Sequence, residues 1–102
     1  MIKACFEKKN NLFVSFSVNG HAGYADKGKD ICCSAVSSAT QTVINAITDV
    51  FKLKAEVNVG ENEISLMSSD KTASKLIESL LLQLELVKEE FPKNIQIKIS
   101  EV

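Results

Sequence analysis

The stretch of the chain best suited to chemistry is GHAGYADKGKDICCSA, which runs from Gly20 to Ala35. It holds the single histidine of the sequence and two of its three cysteines. A cysteine with a histidine as its base forms a nucleophilic pair, and the segment between His21 and the thiols of Cys32 and Cys33 is long enough to bring the groups together. A lone histidine near a thiol also suits a surface or structural role. The residues alone leave open which thiol reacts, and whether either does.

Zinc binding is a weaker interpretation of the same donors. Adjacent cysteines lack the CxxC spacing that zinc sites usually have. A disulfide between them is strained, because neighbouring Cα atoms lie about 3.8 Å apart, which is below the usual range of roughly 4.4–6.8 Å. We therefore expect no metal and no cofactor. The possible ligands are Cys5, His21, Cys32 and Cys33.

Length and composition indicate one domain that spans residues 1–102, with 45% hydrophobic and 25% charged residues. The formal net charge is −1 and no basic block is present, so direct nucleic-acid binding is not expected. No apolar run approaches the length of about 18 residues that suggests a membrane span. The first residues, MIKACFEKKNN, are too charged for a signal peptide, and the cysteine count is odd. A cytoplasmic protein with reduced thiols and no membrane contact is expected.

Two kinds of periodicity place this stretch among regular elements. Period-2 alternation predicts a hairpin at the start of the chain, a second strand pair over residues 55–68, and a last strand near residues 95–99. Residues 20–29 show no apolar period and predict a loop. In the first hairpin, the inward positions are expected to be Ile2, Ala4, Phe6, Leu12, Val14, Phe16 and Val18. In the second pair, the turn is expected at Gly60, Glu61 and Asn62.

Two segments have the three- and four-residue spacing of an amphipathic helix. The first is predicted to begin after Asp30 as its N-cap and to continue to about Val50. The second is predicted to begin near Asp70 and to stop before Pro92. The order is ββαββαβ, which implies an α+β fold with one sheet packed with two long helices in layers.

Helix phase separates the two neighbouring thiols. Cys32 lies on the apolar stripe of the first helix, whereas Cys33 lies at its polar edge, one turn before Ser37. With Asp30 as N-cap, Cys33 lies in the first turn, where a thiolate is stabilised by the helix dipole. The unpaired backbone N–H groups of that turn can also hold a developing oxyanion. The periodicity thus favours Cys33 as the reactive thiol.

Between Ile31 and Thr48, the outward side of the first helix carries no charged residue, which is unusual for a solvated helix face. The second helix adds Leu82 and Leu86, an i,i+4 pair opposite its apolar stripe. We expect one of these faces to mediate self-association. The uncharged positions are Ser34, Ser37, Ser38, Thr40, Gln41, Thr42 and Asn45.

The stretch NGHAGYADKGKDICCSAVSS resembles the signature of the ribosomal-processing cysteine protease family, the Prp-type bacterial peptidases. The matching positions are Gly20, His21, Asp30, Ile31, Cys33 and Ser37. The resemblance extends over the whole chain, since the length and the ββαββαβ order also suit the family. At Cys32, where family members more often have an aliphatic residue, the sequence departs from the pattern.

The resemblance implies a Cys–His dyad endopeptidase that removes the N-terminal extension of large-subunit ribosomal protein number twenty-seven, and a homodimer. It implies that Cys33 is the nucleophile and His21 the general base. Supporting positions would be Asp30, Ser37 and Gly20, and the substrate loop would include Ala22, Gly23, Tyr24 and Gly28. Two alternatives remain at this point. One is another thiol-dependent acyl-transfer enzyme, and the other is a non-catalytic ribosome-associated module.

Overall fold

Five strands and two α-helices follow one another in the predicted order within residues 1–20, 27–60 and 63–102, which the computed structural model describes. Residues 27–30 are described by their backbone path alone. A π-helical turn, Ala46–Val50, continues the first helix. The elements are β1 (Ile2–Lys9), β2 (Leu12–Asn19), α1 (Lys27–Asn45), β3 (Glu56–Val59), β4 (Glu63–Met67), α2 (Lys71–Glu90) and β5 (Ile95–Glu101).

The strands form one mixed sheet in the order β3-β4-β2-β1-β5. All neighbours are antiparallel except β1 and β5, which run parallel with Ile2 opposite Ile95. The central strand is β2, and its last residue, Asn19, lies between Lys3 and Glu63. Gly20 and the predicted catalytic histidine follow that residue directly. The topology therefore places the start of the candidate site at the centre of one sheet end.

Both helices cover the same face of the sheet. The second helix, α2, contacts β2 and β5, and α1 packs beside α2. Ile2, Ala4 and Phe6 are buried on this face, as the alternation predicts. The core has aromatic contacts, with the Phe6 ring centroid 6.2 Å from that of Phe13 in an edge-on geometry.

The expected inward positions Leu12 and Val14 are wrong. The pairing partner of Lys8 is Phe13, whereas Glu7 pairs with Ser15, so Val14 is an extra residue of β2. Such a bulge shifts the side-chain alternation by one position. Phe13, which the strict period places outward, is therefore buried, and its backbone N–H donates to Ser74 Oγ at 2.9 Å.

The second helix confirms its prediction closely. Asp70 is the N-cap, and its carboxylate accepts from the backbone N–H groups of Thr72 and Ala73 at 2.7 and 3.2 Å. The helix ends at Glu90, two residues before Pro92. Leu82 and Leu86 are each 58% exposed on the outer side, and Leu76 is partly buried. The other residues at the three- and four-residue spacing are buried, namely Ala73, Ile77, Leu80, Leu84 and Val87. The sequence predicted both ends of α2 because the N-cap residue and the proline each affect only the helix end beside them.

The first helix begins earlier than predicted. It starts at Lys27, so Asp30 lies inside the helix and is not its N-cap, and Gly28 belongs to its first turn and not to a loop. Extending an existing helix by one turn adds hydrogen bonds without a new nucleation cost. One glycine in this turn costs only about 1 kcal/mol relative to alanine, so Gly28 does not by itself end the helix. The apolar period gave no sign of this turn.

Between Ile31 and Asn45, the outer side of α1 is uncharged as predicted, with one correction. Thr40, which was counted among the outward residues, is only 2% exposed, and its hydroxyl donates to the carbonyl of Val36 at 2.7 Å. A threonine hydroxyl that bonds within its own helix leaves its methyl group free to pack. The exposed Thr42 makes the same kind of bond to Ser38 at 2.8 Å.

The turn predicted between β3 and β4 lies partly outside the described residues, at Glu61 and Asn62. The backbone N–H of Gly60 donates to the Glu63 carbonyl at 2.7 Å, and this bond joins the facing ends of β3 and β4. No described helix is long and apolar enough to cross a membrane.

Candidate active site

Gly20 ends the central strand in a conformation that requires glycine. Its φ is +80°, in the left-handed region, and a Cβ atom there would collide with the backbone carbonyl oxygen of Met1. Left-handed φ costs other L-residues about 1–2 kcal/mol. Any other residue at position 20 is therefore strained, whereas the role of Gly20 beside His21 stays a prediction.

The two neighbouring cysteines have different environments, as helix phase predicts. Cys32 is 0% exposed and belongs to the core, whereas Cys33 is partly buried at the edge of that core. Val36, one helical turn after Cys32, is also buried in the core. Ser37, one helical turn after Cys33, is exposed. Of these two thiols, only that of Cys33 is therefore both partly accessible and held in position by packing against the core.

Met1 connects the end of β2 to the cysteine doublet. Its carbonyl lies against Gly20, and its positive amino group acts on Cys32. Burial raises the pKa of the Cys32 thiol above its usual range, the charge of Cys33 raises it further, and the Met1 amino group lowers it. Gly20 and the doublet therefore lie at the same end of the molecule. Sequence reasoning missed Met1 because no local pattern indicates this long-range approach.

Cys32→Val is expected to reduce the loss of stability at alkaline pH. Because its folded-state pKa is raised, Cys32 keeps its proton above about pH 8.5, where the thiol of the unfolded chain loses it. The Cys32 contribution to stability is therefore complete below that pH and declines as the pH rises toward the folded-state pKa. Urea unfolding of the wild type and Cys32→Val at about pH 7 and about pH 10 measures the difference. Equal slopes in the two proteins would contradict the assignment.

The predicted oxyanion donors at residues 31–33 are not available. Because α1 begins at Lys27, its unpaired N–H groups are those of the first turn, and Cys33 lies in the second turn. The dipole effect also decreases within the first turn. Cys33 lies about 9 Å along the helix axis from Lys27 at 1.5 Å per residue. The reactivity that was predicted from the helix terminus therefore does not follow from the position of Cys33.

Several predicted site residues lie outside the described part of the chain. His21, Ala22, Gly23 and Tyr24 belong to the undescribed segment, so the pairing of His21 with Cys33 stays a prediction. For Asp30 and Gly28, only the backbone position in α1 is described.

The third cysteine occupies a separate environment. Cys5 lies in β1 opposite Ser17 and Lys98, on the sheet face that the helices leave open. It lines a shallow cavity of about 420 Å³ whose wall also includes Glu7 and Ser65, but neither Cys32 nor Cys33. Among the described residues, no group of three or more His, Cys, Asp or Glu side chains is arranged to hold a metal ion. The sheet therefore separates Cys5 from the cysteine doublet.

Comparison with known proteins identifies relatives over almost the whole chain. The family model for the cysteine protease Prp matches residues 1–96. The ribosomal processing cysteine protease Prp of Bacillus subtilis is 23% identical over 107 aligned residues, which cover 95% of this chain and 96% of the relative.

Solved structures agree with the fold. The crystal structure of SMU.848 from Streptococcus mutans is 25% identical, has a TM-score of 0.81 and covers 100% of this chain and 96% of that one. The essential ribosomal processing protease Prp from S. aureus, in complex with a substrate peptide, is 21% identical with a TM-score of 0.86. The match covers 97% of this chain and 99% of the S. aureus chain.

Proposed function

Since this chain belongs to the cysteine protease Prp family, we propose that it removes the N-terminal extension of large-subunit ribosomal protein number twenty-seven during ribosome maturation. The curated relatives carry the name ribosomal processing cysteine protease, which supports a ribosomal protein as the substrate. The S. aureus relatives crystallised with a substrate peptide and with a covalently linked product peptide, which supports peptide-bond cleavage through a covalent intermediate. In this proposal Cys33 is the nucleophile and His21 the general base.

The observation that carries the proposal is the different location of the three thiols, of which Cys5 and Cys33 are partly buried and Cys32 is fully buried. Cys32 is inaccessible in the core, and Cys5 lies on the opposite face of the sheet. Cys33 is partly exposed, and its neighbour Cys32 is within electrostatic reach of the amino group of Met1, whose carbonyl lies against Gly20. A nucleophile needs both access and a fixed position, and Cys33 satisfies both conditions.

The reaction proceeds in two steps. His21 takes the proton of the Cys33 thiol, the sulfur attacks the scissile carbonyl carbon, and a tetrahedral oxyanion forms. When the C–N bond breaks, His21 gives that proton to the leaving amine and a thioester remains. A water molecule, deprotonated by His21, then attacks the thioester, and the thiol and the new carboxyl terminus are released. In this proposal Asp30 and Ser37, which is one helical turn after Cys33 in the sequence, are supporting residues of the site.

The proposal includes a cytoplasmic homodimer. Ribosome maturation places the substrate in the cytoplasm, and the reduced state of the three cysteines suits a reducing compartment. The uncharged outer side of α1 and the exposed pair Leu82 and Leu86 offer surfaces for a second copy. No nucleic acid, membrane or cofactor takes part.

Cleavage of the ribosomal protein itself tests the proposal. The purified chain is incubated with the ribosomal protein of its own organism, carrying the intact N-terminal extension, and the products are mapped by mass spectrometry. We expect one cut that releases the extension, and we expect prior alkylation of the thiols to prevent it. No cut, or a cut that persists after alkylation is complete, would contradict the proposal.

A further inference from the structure

We propose that β3 is a docking strand for the substrate, and that an extended segment of the peptide remote from the scissile bond adds to its outer edge. The inference rests on the proposed peptidase function and names a specificity surface for it. The occupant is a peptide strand with apolar side chains at alternating positions. Val57 and Val59 are the residues that contact it.

The outer edge of β3 has backbone groups available for pairing. It is the last strand on its side of the sheet, and nothing pairs with its outer edge in the part of the chain that the structure describes. The bond from Gly60 N–H to the Glu63 carbonyl fixes the alternation of the antiparallel pair. Bonds to β4 therefore come from Gly60, Asn58 and Glu56, and the N–H and C=O groups of Val57 and Val59 point outward.

The side chains at the same two positions form an exposed apolar strip. Val59 is 75% exposed and Val57 is 37% exposed, and both lie on the helix-covered face beside Ile64 and Leu66. Edge strands in soluble proteins are commonly protected by charged residues, proline or a bulge. Neither of these two outward-bonding positions has such protection. A peptide that pairs here satisfies its backbone groups and buries alternate apolar side chains against the valines.

The strip is continuous with the candidate catalytic end of the sheet. Val59 pairs with Ile64, and Ile64 pairs with Val18, two residues before Gly20. Strands are spaced about 4.8 Å apart, so a peptide on the outer edge of β3 lies about 15 Å from β2. An extended chain covers that distance with four to five residues at about 3.4 Å each. The docked segment therefore belongs to the substrate several residues away from the cleaved bond.

The opposite edge strand has a different position relative to Cys33. Ile99 of β5 is 50% exposed and faces the same side of the sheet. However, α2 contacts β5 and α1 packs beside α2, so α2 lies between β5 and the helix that carries Cys33. Ile99 is therefore a matched control residue on the edge to which the proposal assigns no role.

The test compares Val59→Glu with Ile99→Glu on two synthetic peptides from the cleavage region of the ribosomal protein. One extends well beyond the scissile bond on both sides, and the other has about three residues on each side, too few to reach β3. In Val59→Glu, we expect the ratio of kcat/KM for the long peptide to that for the short peptide to fall at least about tenfold, mainly through KM. Val59→Ile should retain the wild-type ratio, as should Ile99→Glu.

Three results overturn the docking inference alone. They are an unchanged ratio in Val59→Glu, an equal fall in Ile99→Glu, and a shift of oligomeric state in Val59→Glu by analytical ultracentrifugation, which would make the edge a contact between copies. By contrast, failure of the wild type to cleave either peptide or the intact ribosomal protein would overturn the proposed function itself.

Discussion

Replacing Cys33 by alanine is expected to reduce cleavage of the extended ribosomal protein by at least about a thousandfold, because Cys33 is the nucleophile in the proposed mechanism. The side chain is only partly buried at the edge of the core, so the loss of stability should be about 1 kcal/mol or less. Circular dichroism and urea unfolding measure the fold, and mass spectrometry of the products measures cleavage. A folded protein without activity is the expected result.

The neighbouring position supplies the matched control. Cys32 is fully buried, and Cys32→Val replaces a small apolar side chain by a slightly larger one. We expect this variant to retain cleavage within about threefold and stability within about 1.5 kcal/mol. If Cys32→Val were inactive while Cys33→Ala remained active, the roles of the two thiols would be reversed. Full activity in both variants would exclude a thiol mechanism at the doublet.

Gly20→Ala is expected to reduce both stability and activity. The left-handed φ costs alanine about 1–2 kcal/mol, and the new Cβ collides with the Met1 carbonyl, so the backbone must shift. The shift occurs at the residue that precedes His21. A displacement of about 1 Å in a catalytic group can cost about a hundredfold in rate. We therefore expect a loss of kcat/KM of about that size in addition to a lower unfolding midpoint.

Gly60→Ala is the control for the same chemical change. A Cβ atom at Gly60 meets its nearest neighbour, the Glu63 carbonyl oxygen, at 3.7 Å, which is an ordinary contact. The variant should unfold within about 0.5 kcal/mol of the wild type, as surface substitutions usually do, and should retain its kcat/KM. Equal effects of the two substitutions on urea unfolding and cleavage would show that the tight approach to Met1 has no special importance.

The sequence predicted the elements whose signals are local. The second helix has its N-cap Asp70 and its terminating Pro92 within a few residues of its ends, and both act as expected. The strand pair over residues 55–68 and the last strand also match, because their alternation is short and uninterrupted. In these segments local propensity and tertiary packing favour the same structure.

The errors occur where packing overrides a simple period. The bulge at Val14 places Phe13 in the core. The alternation of Leu12, Val14 and Phe16 in the sequence gives no sign of the extra residue. The first turn of α1 was assigned to a loop because its residues have no apolar spacing. Such a turn extends an already formed helix and needs no apolar face of its own.

The candidate site shows the same division. Helix phase distinguished Cys32 from Cys33, because successive residues point 100° apart around the helix axis. Once the apolar stripe is known, this difference buries Cys32 and leaves Cys33 at the edge. It did not place Cys33 correctly along the helix, because that position depends on where the helix begins. The approach of Met1 to Gly20 was also inaccessible to sequence reasoning, because it arises from strand register.

The parallel pairing of β1 with β5 has a consequence for the order in which the chain folds. The first hairpin turns at Asn10 and Asn11, so Met1 and Gly20 lie at its open end, and an isolated hairpin is only marginally stable there. The open end of the hairpin is stabilised when Ile2 donates its backbone N–H to the Asn94 carbonyl and pairs with Ile95 of β5. Contacts between such distant residues form late, after the local helices and turns, because loop closure opposes them. The backbone that precedes His21 is therefore expected to become fixed late in folding, when the last strand joins the sheet.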